Sequence, residues 1–209
     1  MSVAHLAAEP QFFARVPDQE VDRVRRQYRL RSPYLFSLAS PGYQKNLDLL
    51  IDAFITLRRA SLDVRLMAPG LFRPDAEPLR ERLRRAGLET ETVATGWVPD
   101  ADLPALYQGA AAFVLPSRYE GFGIPVLEAM ASGTPVITTT ATSLPEVAGD
   151  AALLVAPDDS AGFVAALRRA LTDEALRTEL IGRGRARASL FTWRSTAEKT
   201  LAVLERAAL

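Results

Sequence analysis

Ser117-Arg-Tyr-Glu-Gly-Phe-Gly-Ile-Pro-Val-Leu-Glu-Ala-Met-Ala-Ser-Gly-Thr-Pro-Val136 decides how this chain reads. Just upstream lies the apolar run Ala112-Phe-Val-Leu115, the pattern of a parallel strand buried on both faces. A polar turn with glycines at 121 and 123 follows. Pro125 stands where a helix would begin, since its fixed φ suits a first turn and its missing N–H is not needed there. Val126, Leu127, Met130 and Ala131 give that helix an apolar face, and Gly133 can end it in a left-handed conformation. A strand, a glycine turn and a helix N-terminus in this order form an anion site in α/β proteins. Glu120 and Glu128 bracket the turn, Glu128 in the expected first helical turn, so both can face one ligand. Taken alone, Glu128 is also explained as an acid stabilised by the helix dipole. The glycines are also explained by an ordinary tight turn. The residues by themselves leave these readings open.

The rest of the chain bounds the class. With 209 residues and 48% hydrophobic content it can bury the core of one domain, or of one domain with an appendage. Twenty-five basic residues balance 25 acidic ones, which argues against a general binder of nucleic acid or acidic membranes. The absence of cysteine excludes disulfides, zinc–thiolate sites and thiol catalysis. No apolar run reaches the ~18–20 residues of a membrane span, and the start lacks the pattern of a signal peptide. A cytoplasmic protein is the expectation.

Residues 1–32 read as a lead-in. Glu9-Pro-Gln-Phe-Phe13 is a loop with an aromatic anchor, and Val21, Val24 and Tyr28 suggest an arginine-rich helix from Asp18. His5, the only histidine, falls there and reads as incidental rather than catalytic. Residues 33–209 read as the domain proper. Strands are expected at Tyr34–Leu38, Leu62–Met67, Thr92–Thr95, 112–115, Pro135–Thr138 and Ala152–Val155. Between them fall helices at Leu47–Arg59 with Asn46 as cap, Glu77–Ala86, and Leu103–Tyr107 with Asp100 as cap. Ser143 and Glu146 open a short helix, and three more run from Asp158 or Ser160 to Leu171, from Asp173 to Arg187 and from Thr192 to Arg206. This alternation predicts a Rossmann-like parallel sheet with helices on both faces. The arginines of the Glu77–Ala86 helix, with Arg168, Arg169, Arg183, Arg185 and Arg187, read as solvated surface. Neither G-x-x-x-x-G-K-[ST] nor G-x-G-x-x-G follows the first strand, which argues against ATP hydrolysis and dinucleotide binding. A Ser-His-Asp site lacks a usable histidine.

Glu120-Gly-Phe-Gly-Ile-Pro-Val-Leu-Glu128 resembles the E-x7-E signature of retaining GT-B glycosyltransferases of group 1 (family 4). Gly96-Trp-Val-Pro-Asp100, Leu103-Pro-Ala-Leu-Tyr107, Leu115-Pro-Ser117, Ser143-Leu-Pro-Glu-Val147 and Gly149-Asp-Ala-Ala152 match in the same order. The resemblance runs from about Pro33 onward and is to the C-terminal, donor-binding domain only. Residues 1–32 resemble the linker between the two GT-B domains, and Phe191-Thr-Trp193 the segment that returns toward the N-terminal one.

The resemblance implies transfer of a hexose from a nucleotide-diphosphate sugar to an acceptor glycan or lipid, with retention, in polysaccharide biosynthesis. It implies that Lys45 neutralises the donor diphosphate and that Glu120 lies near the transferred sugar; these are the candidate catalytic residues. The position five before Lys45, often arginine in relatives, is Ser40 here, which can donate a hydrogen bond but no charge. Glu128 is implied to accept from the ribose hydroxyls, since its two oxygens suit a vicinal diol. The turn from Gly121, with the amides of Phe122, Gly123 and Ile124, would meet sugar and phosphate oxygens. Val98 and its neighbours would line the base pocket through backbone groups, although an apolar residue there is also plain core. No metal or other cofactor is implied, and Asp158-Asp159 reads as a helix cap. GDP-mannose and UDP-glucose are the donors common in similar sequences, and the pattern leans to mannosyltransferase-like members. The full enzyme is implied to associate peripherally with membranes. The alternatives are a stand-alone nucleotide-sugar-binding module completed by a partner chain, or a non-catalytic remnant. For this chain alone the expectation is donor binding, slow donor hydrolysis, no efficient transfer, and self-association through an exposed cleft face.

Overall fold

The computed structural model describes residues 3–207. Met1, Ser2, Ala208 and Leu209, at the edges of the expected lead-in and domain, lie outside the described residues. Among the described residues six strands form one sheet: β1 (Tyr34–Phe36), β2 (Arg65–Met67), β3 (Thr92–Val93), β4 (Ala112–Leu115), β5 (Val136–Thr139) and β6 (Leu153–Val155). Their spatial order is β3-β2-β1-β4-β5-β6, and every neighbouring pair is parallel. This is the doubly wound order, whose direction reverses between β1 and β4. β4 has the expected bounds and β5 is shifted by one residue, whereas β1, β2, β3 and β6 are shorter than expected; Leu62 and Val64 precede the ladder of β2, and Thr95 follows that of β3.

Alternation along the strands divides the core in two. Tyr34, Phe36 and Phe113 face one side with Tyr107, Val126, Leu127 and Met130; Leu35, Leu66, Val114 and Ile137 face the other with Leu50, Phe54 and Phe163. The first layer holds α1 (Asp18–Gln27), α4 (Leu103–Gly109), α5 (Ile124–Ala131), α6 (Leu144–Ala148) and α8 (Glu174–Ser189). The second holds α2 (Leu47–Arg59), α3 (Glu77–Arg85) and α7 (Ser160–Thr172). The final helix, α9 (Trp193–Ala207), buries none of its side chains. No helix among the described residues is long and apolar enough to cross a membrane.

The lead-in packs onto the first layer. Ala7, Ala8, Phe12, Val24 and Leu30 join the core around Tyr107, and the Phe12 ring meets that of Tyr107 edge-on at 5.7 Å. Asp102, nearly buried ahead of α4, accepts hydrogen bonds from Arg23 Nη2 (2.6 Å), Tyr28 Oη (2.7 Å) and Gln27 Nε2 (3.0 Å). Burial opposes its charge, but these donors prevail and hold its carboxyl below the usual range.

Three expected caps are corrected. Asn46 does not cap α2: its backbone is left-handed at φ 52°, and its amide donates to the carbonyls of Pro116 and Pro157, each at 3.0 Å. The residue before α4 is Asp102, not Asp100, and its carboxylate is spent on α1. Ser143 precedes α6 but its hydroxyl serves the glycine turn, and Glu146 accepts from His5 instead of closing a capping box. Asp159 does cap α7, accepting from Gly162 N at 2.8 Å, while Asp158 pairs with Arg118. Of the arginines expected to be solvated, Arg80 and Arg187 differ: Arg80 donates to the carbonyls of Leu71 and Arg73 (2.8 Å for the latter), and Arg187 donates to those of Val147 (3.0 Å) and Glu146 and stacks over Phe191.

Candidate active site

The loops after β1 and β4 meet at the reversal point of the sheet, where open α/β sheets bind ligands. Arg118 N donates to Gln44 O at 2.7 Å, and Asn46 ties the β4 loop to the loop after β6 through Pro116 and Pro157. Gly70, in the loop after β2, lies so close to the β1 loop that a Cβ would come within 2.2 Å of Ala39 O. These contacts fix the approach of Ser40 and Lys45.

Lys45 and Glu120, 75 residues apart in sequence, form an ion pair: Nζ lies 2.8 Å from Oε1 and 2.9 Å from Oε2. The Lys45 side chain is 38% exposed and that of Glu120 only 13%. Ser117 Oγ donates a further bond to Glu120 Oε1 at 2.7 Å. The backbone of Glu120 is clamped by α6 and its approach: its N–H donates to Thr142 Oγ1 at 3.0 Å, and its carbonyl accepts from Thr142 and Ser143. Ser143 also donates to Phe122 O at 2.9 Å. The turn is thus held by its carbonyls while the amides of Phe122, Gly123 and Ile124 find no acceptor among the described residues. Gly123 has φ 107°, a conformation that suits glycine, and leads directly into α5.

Glu128 is the fifth residue of α5, in its second turn, so the expected first-turn dipole contact is corrected. It does not touch the Lys45–Glu120 pair; its partner is Tyr107, whose hydroxyl donates to Oε2 at 2.8 Å. Burial raises the Glu128 carboxyl above its ordinary range, the Tyr107 bond opposes this, and Asp100 and Glu9 add to the rise. Burial first, and Glu128 second, also push the Tyr107 hydroxyl well up, so it stays a donor. Val98 is 6% exposed within the Tyr107 core, leaving only its backbone to offer outward. Trp97 beside it is 83% exposed.

Tyr107, Ser117, Thr142 and Ser143 were not among the site residues read from the sequence, although Tyr107, Ser117 and Ser143 lie in the segments that carry the resemblance. Tyr107 carried a signal, because a phenol in a core position needs a polar partner. His5, read as incidental, sits against the turn: its ring is 6.0 Å from Phe122 and 5.5 Å from Phe191, and Nε2 lies 2.7 Å from Glu146 Oε1.

The family model for glycosyl transferases group 1 matches residues 18–187. The chain belongs to the group 1 glycosyl transferases. It is 35% identical over 204 residues to mannosylfructose-phosphate synthase of Agrobacterium fabrum, covering 92% of this chain and 45% of that enzyme. It is 47% identical over 106 residues to O-antigen chain mannosyltransferase B of Escherichia coli, covering 51% of this chain and 28% of that protein. The chain therefore spans less than half the length of these curated relatives. Among solved structures it superposes on the C-terminal domain of a group 1 family glycosyl transferase from Francisella tularensis with TM-score 0.75 and 23% identity, covering 88% of this chain and 97% of that one. The fold is the Rossmann-like C-terminal half of a GT-B glycosyltransferase.

Proposed function

We propose that this chain is the donor-binding half of a retaining hexosyltransferase that uses a nucleotide-diphosphate sugar. The observation that carries the reading is the Lys45–Glu120 pair held beside the unpaired amides of the glycine turn, at the reversal point of the sheet. An ammonium and free amides suit a diphosphate, and they act where charge develops as the leaving group departs. In the reaction the bond from the anomeric carbon to the donor phosphate oxygen breaks, with its electrons staying on the nucleoside diphosphate. A bond from the acceptor oxygen forms, and the acceptor proton is released. Lys45 carries three N–H donors, so it can keep Glu120 and still reach a phosphate oxygen. Glu120 is assigned to the transferred sugar, and Glu128 to the ribose diol. Ser40 and the backbone beside Val98 complete the donor contacts, and no metal is assigned.

Mannosyltransferases among the relatives favour mannose as the sugar; a GDP- or UDP-linked donor and a cytoplasmic setting complete the proposal. A second reading, a module completed by a partner chain, is favoured by the exposure of Tyr43, Phe72, Trp97 and Tyr119 on the loops after β1 to β4. A covering domain would bury those rings.

The test is to incubate the chain with GDP-mannose or UDP-glucose and follow the released sugar by nuclear magnetic resonance. Slow release of the donor's own anomer first, without efficient transfer to added acceptors, is expected. First release of the opposite anomer would overturn retention, and efficient transfer would overturn the half-enzyme reading.

A further inference from the structure

A concentration of arginines lies at the opposite end of the sheet from Lys45. Arg25, Arg26, Arg29 and Arg31 from α1 and the approach to β1, with Arg65 at the start of β2, line a cavity of about 620 Å³. Its one acidic lining residue is Glu91, just before β3. All these positions begin or precede strands β1 to β3, whereas Lys45 and Glu120 lie beyond strand carboxyl ends, so the two places are separate.

Two of the arginines have partners. Arg25 Nη1 is 3.8 Å from Asp22 Oδ1. Arg65 Nη1 donates to Thr90 O at 3.0 Å and lies 2.8 Å from Glu91 Oε2, paired by charge but not aligned as a hydrogen bond. The guanidinium groups of Arg26, Arg29 and Arg31 have no partner among the described residues. Five cations set against two carboxylates, Glu91 and Asp22, leave an excess of like charge in a chain whose total charge is zero.

Arg29 adds an independent sign. It follows the end of α1 with φ 53°, and the N–H of Leu30 closes back on Arg25 O at 2.8 Å. That is the helix-ending turn which glycine makes without strain, and an arginine there strains the backbone. The fold tolerates this strain at a position where the arginine side chain is exposed and packing does not require it.

We propose that this cavity binds phosphate groups, either of a soluble polyphosphate or of anionic lipid headgroups, independently of the donor site. The planar forks of guanidinium match phosphate oxygens, and several around one cavity favour more than one phosphate.

Two probes test this on the whole chain: tripolyphosphate by calorimetry, and flotation with vesicles of phosphatidylcholine with or without phosphatidic acid. Both are run in a Lys45→Ala background, so that the donor site contributes little. At roughly fivefold per arginine, the double variant Arg26→Gln/Arg31→Gln is expected to bind about thirtyfold more weakly, and Arg29→Gly about fivefold. Arg29→Gly is also expected to unfold at the same or a higher temperature, because glycine takes that turn freely, which separates lost binding from lost fold. Tripolyphosphate binding without vesicle binding assigns the soluble source; the reverse assigns the lipid. Binding unchanged by the arginine variants, or absent for both probes, overturns the proposal.

Discussion

Glu128 is held against its own charge. Burial raises its carboxyl, so the folded protein binds its proton more tightly than the unfolded chain does. The ionised form therefore costs stability, and that cost appears as pH rises from the unfolded value through the raised folded one. Glu128→Gln is predicted to melt higher than wild type at neutral pH while losing donor affinity by about 10- to 150-fold, the worth of hydrogen bonds to a charged acceptor. Thermal scans beside nucleotide titrations check both halves. In wild type, affinity should fall as pH drops through the raised value, and Tyr107→Phe should move that fall to higher pH, since the Tyr107 bond opposes the rise. Lys45→Ala should cost little stability, about 1 kcal/mol or less, because the Lys45 side chain is partly exposed and Ser117 still serves Glu120. Its loss should appear in diphosphate affinity.

A few polar and close backbone contacts join the loops and helices. Asp102 links α1 to α4 through three donors. Asp102→Ala should destabilise by about 2–3 kcal/mol, since it strands those donors. The Asp102 carboxyl is lowered, so its contribution is complete above the unfolded value and lost as pH falls through the lower folded one. Denaturant titrations of wild type and Asp102→Asn should accordingly converge in acid. Gly70→Ala should cost about 1–3 kcal/mol, because its Cβ has no room beside Ala39 O, and should weaken donor binding by displacing the Lys45 loop. A well-folded Gly70→Ala with full affinity would break the link between that contact and the site.

Apolar runs, glycines and prolines are local signals, and they gave six alternating strands, the parallel class and the turn into α5. The doubly wound order required knowing which strands pair, and no residue states that by itself. The caps at Asn46 and Ser143 have one physical reason for not forming. Each expectation weighed a side chain against its nearest amides, whereas Asn46 is drawn to carbonyls 70 and 111 residues away, and Ser143 to carbonyls 21 and 23 away. Lys45 and Glu120 were named through resemblance, but their direct contact, and the service of Ser117 and Tyr107 to the two glutamates, arise only on folding.

For the whole molecule, the sheet has two working ends of different character. The carboxyl ends of the strands carry the ion pair, the glycine turn and four exposed aromatic rings; the amino ends of β1 to β3 carry the arginine cavity. α9 buries no side chain and leaves Leu201, Val203 and Leu204 exposed, so its amides should exchange faster than those of α5. The most direct test of the donor reading is calorimetric titration of the chain with UDP, GDP and ADP and their hexose derivatives, for wild type and Glu128→Gln. Saturable binding of one nucleotide, weakened about 10- to 150-fold in the variant, is the predicted result. Equal binding by both proteins, or binding of none of these ligands by wild type, would contradict it.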